Sequence, residues 1–243
     1  MRYVIWLGLA VVVSLPSLAA AQDVTLSLGE GGSISARTIQ LILLITVLSV
    51  APGLAIMITC FPFLITVLSI LRQGVGLQQS PPNMLLVSLA LFLTYFIMDP
   101  VFTEAWTAGI RPMMEETMAV EPALERALEP FRAFMANRLD SDTFYAMAAL
   151  RPGGDVIELS AQAPLSVLMP SFMLSEIARA FQIGFLIFLP FLIIDLVVAA
   201  VLMSMGMMMV PPAIVSLPFK LAFFVIADGW ALIAGALVRS YMP

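Results

Sequence analysis

The chain has 243 residues, 61% of them hydrophobic and 11% charged, with a formal charge of −5 and a mean hydropathy of +1.05. Soluble domains use about 45–50% apolar residues, so this composition belongs to the membrane class. There is no histidine, one cysteine (Cys60) and one lysine (Lys220), which excludes histidine catalysis, histidine metal sites, an internal disulfide and a cysteine-rich metal centre. No cofactor site is expected, and an acidic balance without a basic cluster argues against nucleic-acid binding.

Residues 1–21 have the form of a secretory signal peptide: Arg2, an apolar run over 3–15, and Ala19-Ala20-Ala21 before Gln22. A short polar segment, 22–38, follows. The apolar run 39–59 matches one membrane thickness, with a kink or break expected at Pro52-Gly53. A second apolar piece, 61–71, is too short for a span of its own and reads as a broken or buried helix. Arg72 through Asn83 is a turn-rich connection. The apolar run 84–98 is expected to end at Asp99-Pro100. These segments make up an N-terminal part, 22–102.

Residues 103–165 change character. Between Asp99 and Glu158 the chain carries 11 acids and 5 arginines, a net of −6. Leu124, Leu128, Phe131 and Phe134 recur at helical spacing, so a small water-facing helical domain is expected. Behind a cleaved signal peptide it would lie outside the cytoplasmic membrane, and a long loop translocates largely regardless of its arginines. The C-terminal part, 166–243, holds two long apolar runs, 170–201 (bent at Pro190) and 213–238.

The turn between those two runs, 203–212, is nearly all methionine, with Gly206 inside it and Pro211-Pro212 closing it. A connection meeting water or headgroups is normally polar. Methionine is unbranched and polarizable, and a cluster of it reseals against changing surfaces. The turn therefore reads as a soft closure in a passage, or as filler in a buried helix–turn–helix. Both readings stay open on the turn alone.

Ionisable residues within apolar helices usually face a partner, a cavity or a pore. Four qualify: Glu176, Asp195, Lys220 and Asp228. From Met207, Asp195 lies 12 residues back and Lys220 lies 13 forward, so a hairpin sets them at similar depth. Lys220 is expected to pair with Glu176 or Asp195, within or between copies. Such charges fix helix register, and a proton relay is the alternative. Ser216 and Lys220 share a helix face, which raises an intramembrane hydrolase. Pro218 between them and the lack of an oxyanion element weigh against it. A stand-alone secondary transporter or ion channel is the main competing class.

A longer set of motifs is more specific. Leu71-Arg72, Pro81-Pro82-Asn83, Leu89 to Thr94 and Met98-Asp99-Pro100 resemble the FliP family of flagellar export proteins. So do Ser175-Glu176, Ala180 to Phe185, Pro190 to Asp195, Met203 to Pro212, Leu217 to Lys220 and Asp228-Gly229-Trp230. The resemblance runs from about residue 39 to the C-terminus and is weakest over 103–164. It implies an all-α, membrane-associated fold of kinked long helices and helical hairpins with a small helical periplasmic domain, assembling into a ring or cone.

It further implies a pore-forming core subunit of the type III export gate in the bacterial inner membrane, at the flagellar basal body, with the cone reaching the periplasmic side. A ring of five copies, FliQ- and FliR-type subunits, exported unfolded flagellar proteins and membrane lipid are the implied partners, and no catalysis is implied. Met205, Met207, Met208 and Met209 match the family's gasket. Glu176 and Lys220 match its charge pair between neighbouring copies, and Asp195 and Asp228 are the remaining acids expected to be buried. One departure concerns Pro62-Phe63, which stand where the family carries Thr-Arg. Injectisome relatives share the core motifs. The signal peptide and the large outer segment favour the flagellar branch.

Overall fold

The computed structural model describes residues 34–77, 80–153, 156–207 and 209–242. The expected signal peptide and Met208 lie outside them. The described residues are helical, with no strand among them. The chain divides after Leu48 into two units, each described by itself.

Helix α1 covers Ile34–Met57. It continues through Pro52-Gly53, and the break expected there falls instead at 58–60. Several of its apolar side chains, among them Ile39, Ile42 and Leu43, are exposed.

In the second unit, α2 (Phe61–Val75) is the core helix. Fifteen residues span about 22 Å, short of a bilayer. Phe63, Leu64, Val67, Leu68 and Leu71 are all essentially inaccessible. Helix α3 (Asn83–Ala105) runs straight through Pro100, overturning the expected end at Asp99-Pro100. Proline forfeits one backbone donor, but packing decides the outcome here. Phe102 lies between Tyr95 and Phe131 at ring distances of 6.3 and 5.8 Å. A π-helical turn (Trp106–Ile110) and α4 (Arg111–Met114) then extend the rod.

Helix α5 (Val120–Arg138) returns along α3, and α6 (Ser141–Ala149) follows it, capped by the Asp140 carboxylate. The buried face of α5 is Ala123, Ala127, Pro130 and Met135, while Leu124 is exposed. The apolar stripe is therefore rotated from the leucine–phenylalanine spacing, because small residues are needed where α5 meets Gly109 of the π turn. Met135, Phe144, Leu168 and Phe172 form a shared core between α5, α6 and the next helix. Helices α5 and α6 are thus packed onto the N-terminal part of the next, long apolar helix.

That next helix, α7 (Leu165–Ser204), is 40 residues long and continuous through Pro170 and Pro190. It crosses α2 closely, since a Cβ on Gly184 would run into the Ile70 side chain. After the methionine turn come α8 (Pro212–Ile226) and α9 (Gly229–Arg239). The run 213–238 is therefore two helices, bent by 61°. The break falls at Asp228, whose backbone is left-handed at φ 47°. Two described helical segments are long and apolar enough to cross a membrane, Asn83–Met114 and Leu165–Ser204, or three if the bent pair counts as one.

Candidate functional site

The methionine turn has a defined geometry. Gly206 adopts φ 76°, a conformation that side chains with a Cβ resist. Its N–H donates to the Met203 carbonyl and the Met207 N–H donates to the Leu202 carbonyl, both at 3.0 Å. This pair of bonds is a Schellman cap, which satisfies the last carbonyls of α7. Pro212 then occupies the first turn of α8, where a missing donor costs nothing. The methionines are left outside: Met209 is 98% exposed, Met205 67% and Met207 41%. Below them an apolar groove of about 580 Å³ separates α7 from α8, lined by Val197, Val201, Leu202, Met205, Met207 and Phe219 among others.

Deeper in the hairpin lies the first ion network. Lys220 Nζ donates to Asp195 Oδ2 at 2.6 Å and to the Gly74 carbonyl at 3.1 Å. Ser216 donates to Asp195 Oδ1 at 2.5 Å. Lys220 is nearly buried, while the Asp195 side chain is 33% exposed. The hairpin register inferred from the turn thus brings Asp195 and Lys220 together. The lysine also binds a carbonyl in the last turn of α2, where the helix dipole favours a cation. Ser216 bonds to the aspartate and not to the lysine. The hydrolase reading loses its activated nucleophile, because the nearest base holds the lysine too.

The second network surrounds Glu176, which is completely buried. Its Oε1 accepts from Arg138 Nε at 3.1 Å and from Arg179 at 3.3 Å, and Oε2 accepts from the Tyr241 hydroxyl. Arg138 also donates to the Ser240 carbonyl at 2.9 Å and lies 3.9 Å from the Tyr241 ring centroid. Within one chain Glu176 and Lys220 are therefore not brought together; each has its own partner. Nothing in the sequence around Arg138 marks it, since it is one of several arginines in an acidic stretch. Burial of the Tyr241 phenol, next to the Glu176 carboxylate, raises its pKa and keeps it a donor.

Asp228, expected to be buried, is exposed at the α8–α9 break. Asp195 is only partly covered. The fully buried acid of the described residues is Glu176. Phe63, one of the two residues at which the sequence departs from the family pattern, packs edge-on against Tyr241 at 5.5 Å. Arg138 stands 5.8 Å from its ring. Arg138 of α5 thus supplies a guanidinium beside both rings.

The model of the FliP family matches residues 44–237. The chain belongs to the FliP family. A flagellar biosynthetic protein FliP from Caulobacter vibrioides is 50% identical over 228 residues, covering 93% of this chain and 85% of the relative. One from Agrobacterium fabrum is 48% identical, covering 96% and 97%. One from Bacillus subtilis is 47% identical, covering 84% and 92%. The FliP match takes in α2 through α8 and nearly all of α9. Both ion networks and the methionine turn therefore sit largely inside the family region, with only the Ser240 and Tyr241 ends of the second network beyond it.

Proposed function

We propose that this chain is a pore-forming core subunit of the flagellar type III protein export gate, passing unfolded flagellar subunits across the inner membrane. One observation carries the reading. Helix α7 is 40 residues long, about 60 Å, against a hydrocarbon core of about 30 Å. Its most apolar stretch is only 11% buried within the chain. Its N-terminal turns are covered within the chain by α5 and α6, and its exposed apolar side chains continue from Phe181 into the methionine turn, where they call for lipid or other protein surfaces. A ring of five copies, together with FliQ- and FliR-type subunits, supplies that cover in this proposal. Its cone then stands partly on the periplasmic side, with residues 103–165 as the outer segment and 1–21 as the cleaved signal peptide.

In such a ring the exposed ends of the hairpins converge. Met205, Met207, Met208 and Met209 from several copies close the axis as a gasket that yields to a threaded chain. The subunit carries out no catalysis; transport energy comes from its partners and the proton gradient. A pair between Glu176 and Lys220 of a neighbouring copy belongs to the same proposal, and it competes with Arg138 and Asp195. Glu176→Cys combined with Lys220→Cys tests it: a disulfide between copies is expected, and its absence in an assembled particle refutes the pair.

The decisive experiment replaces Met205, Met207, Met208 and Met209 by alanine. Ion leak through reconstituted complexes is expected to rise while the particle keeps its size and symmetry. Unchanged conductance in an intact particle would refute the gasket.

A further inference from the structure

A groove of about 480 Å³ lies between α3 and α9, well away from the methionine turn. That volume is within the range of ligand sites. Its walls are Leu93 and Phe96 on one side and Ala234, Val238 and Met242 on the other, with Arg239 as the one charged group. Gly235 forms part of the floor. A Cβ there would stand 3.3 Å from an Arg239 terminal nitrogen, so the guanidinium folds back one turn over its own helix. Phe96 and Met242 are exposed.

Arg239 forms no ion pair among the described residues. The first acid beyond Phe96 on α3, Asp99, is exposed and does not reach it. Both walls come from segments apolar enough to cross a membrane, Asn83–Met114 and the bent pair ending at Arg239. The depth is also marked. Asp99 follows the apolar part of α3, and Ser240 and Tyr241, bonded to Arg138 and Glu176, follow Arg239. In sequence the apolar run of α9 ends at Arg239, so the guanidinium stands where that run meets polar residues. An apolar channel that opens beside an unpaired cation at this depth complements a molecule with a hydrocarbon tail and an anionic head.

We infer that the α3–α9 groove binds one anionic phospholipid, with its phosphate on Arg239 and an acyl chain along Phe96, Gly235 and Val238. The site rests on the membrane placement proposed above but not on the gasket. The ligand anchors the end of α9 next to the Glu176 network. It therefore holds the fixed end of the C-terminal hairpin at the bilayer surface.

The test is native mass spectrometry of the full chain in mild detergent, titrated with phosphatidylglycerol or phosphatidylcholine. The wild type is expected to retain one phosphatidylglycerol in preference to phosphatidylcholine. Arg239→Gln is expected to lower that preference about five-fold, the effect of one basic residue at a lipid surface. Gly235→Leu fills the floor and is expected to reduce retention of both lipids. Equal retention of the two lipids by the wild type, or unaltered phosphatidylglycerol binding in both variants, overturns the site. A change in oligomer size with Arg239→Gln and none in lipid retention assigns the groove to a second copy and also overturns it. A chain that partitions into membranes yet gives any of these results leaves the export-gate reading standing, whereas failure to partition sinks both.

Discussion

Arg138→Leu tests whether the Glu176 network organises the C-terminal half. Glu176 is inaccessible and the Arg138 side chain is 17% exposed. Removing one member of a buried pair typically costs about 3–5 kcal/mol, because the other charge is left unpaired. Arg179 and Tyr241 still reach the carboxylate, and Arg179 is a third exposed, so the ionic loss falls to about 2 kcal/mol. The broken bond to the Ser240 carbonyl and the lost stacking on Tyr241 each add about 1 kcal/mol. Together these shift the unfolding midpoint by about 10 °C for a unit of this size. The assay is thermal unfolding of the purified chain, run as a cycle with Glu176→Gln. The double variant is expected to lose little more than Arg138→Leu alone, giving a coupling of about 2 kcal/mol. Additive losses would refute the network. A second arm uses Phe63→Arg in the Arg138→Leu background. The new guanidinium starts beside Tyr241, so partial recovery is expected, and none is expected when Glu176 is also Gln.

Other consequences follow from local geometry. Gly206→Val forces a branched side chain into a left-handed backbone and is expected to cost about 1–2 kcal/mol, with Gly206→Asn costing less; thermal unfolding reads both. Gly109→Ala places a methyl 2.6 Å from the Ala127 nitrogen, so the π turn must move off α5, a loss of about 1–3 kcal/mol that Gly109→Ser should share. The Thr143 N–H and hydroxyl hold the exposed Asp140 carboxyl below its usual pKa. A lowered folded pKa means that the cap's contribution is complete above the ordinary carboxylate range and is lost as pH falls through the lowered value. The protection factor of the Thr143 amide, the intrinsic exchange rate over the observed rate at the same pH, is expected to fall at acidic pH in the wild type and to vary less in Asp140→Asn.

Much of this was legible because it depends on chemistry within a few residues. Gly206 between an apolar helix and two prolines announces a left-handed cap. The distances from Met207 to Asp195 and Lys220 set their common depth, since both follow from helical rise alone. What failed depends on distant neighbours. Pro100 should end a helix, but Phe131 packing on Phe102 carries α3 through it. Leu124 should face the core, but the approach of Gly109 turns Ala123 inward instead. The break at Asp228 has no proline to signal it. Arg138 carries no local mark at all; its partners lie 38 and 102 residues away.

The positions of the two networks bear on how a gasket could work. Lys220 and Asp195 lie about 20 Å along the helices from the turn, and Glu176 about 46 Å. Between the Ser216–Asp195 bond and the turn, no side-chain hydrogen bond among the described residues joins α7 to α8. The base of the hairpin is therefore pinned by charge, while its last 20 Å is held by apolar contact alone. Apolar contact is not directional, so that arm can tilt without leaving a donor unpaired. A rigid or polar tip would defeat this freedom, because each displacement would cost a hydrogen bond. Thioethers on an untethered arm can deform around a passing chain and close again on one another. The same sequence segment thus combines a fixed root with a compliant end, which is what the proposed gasket requires.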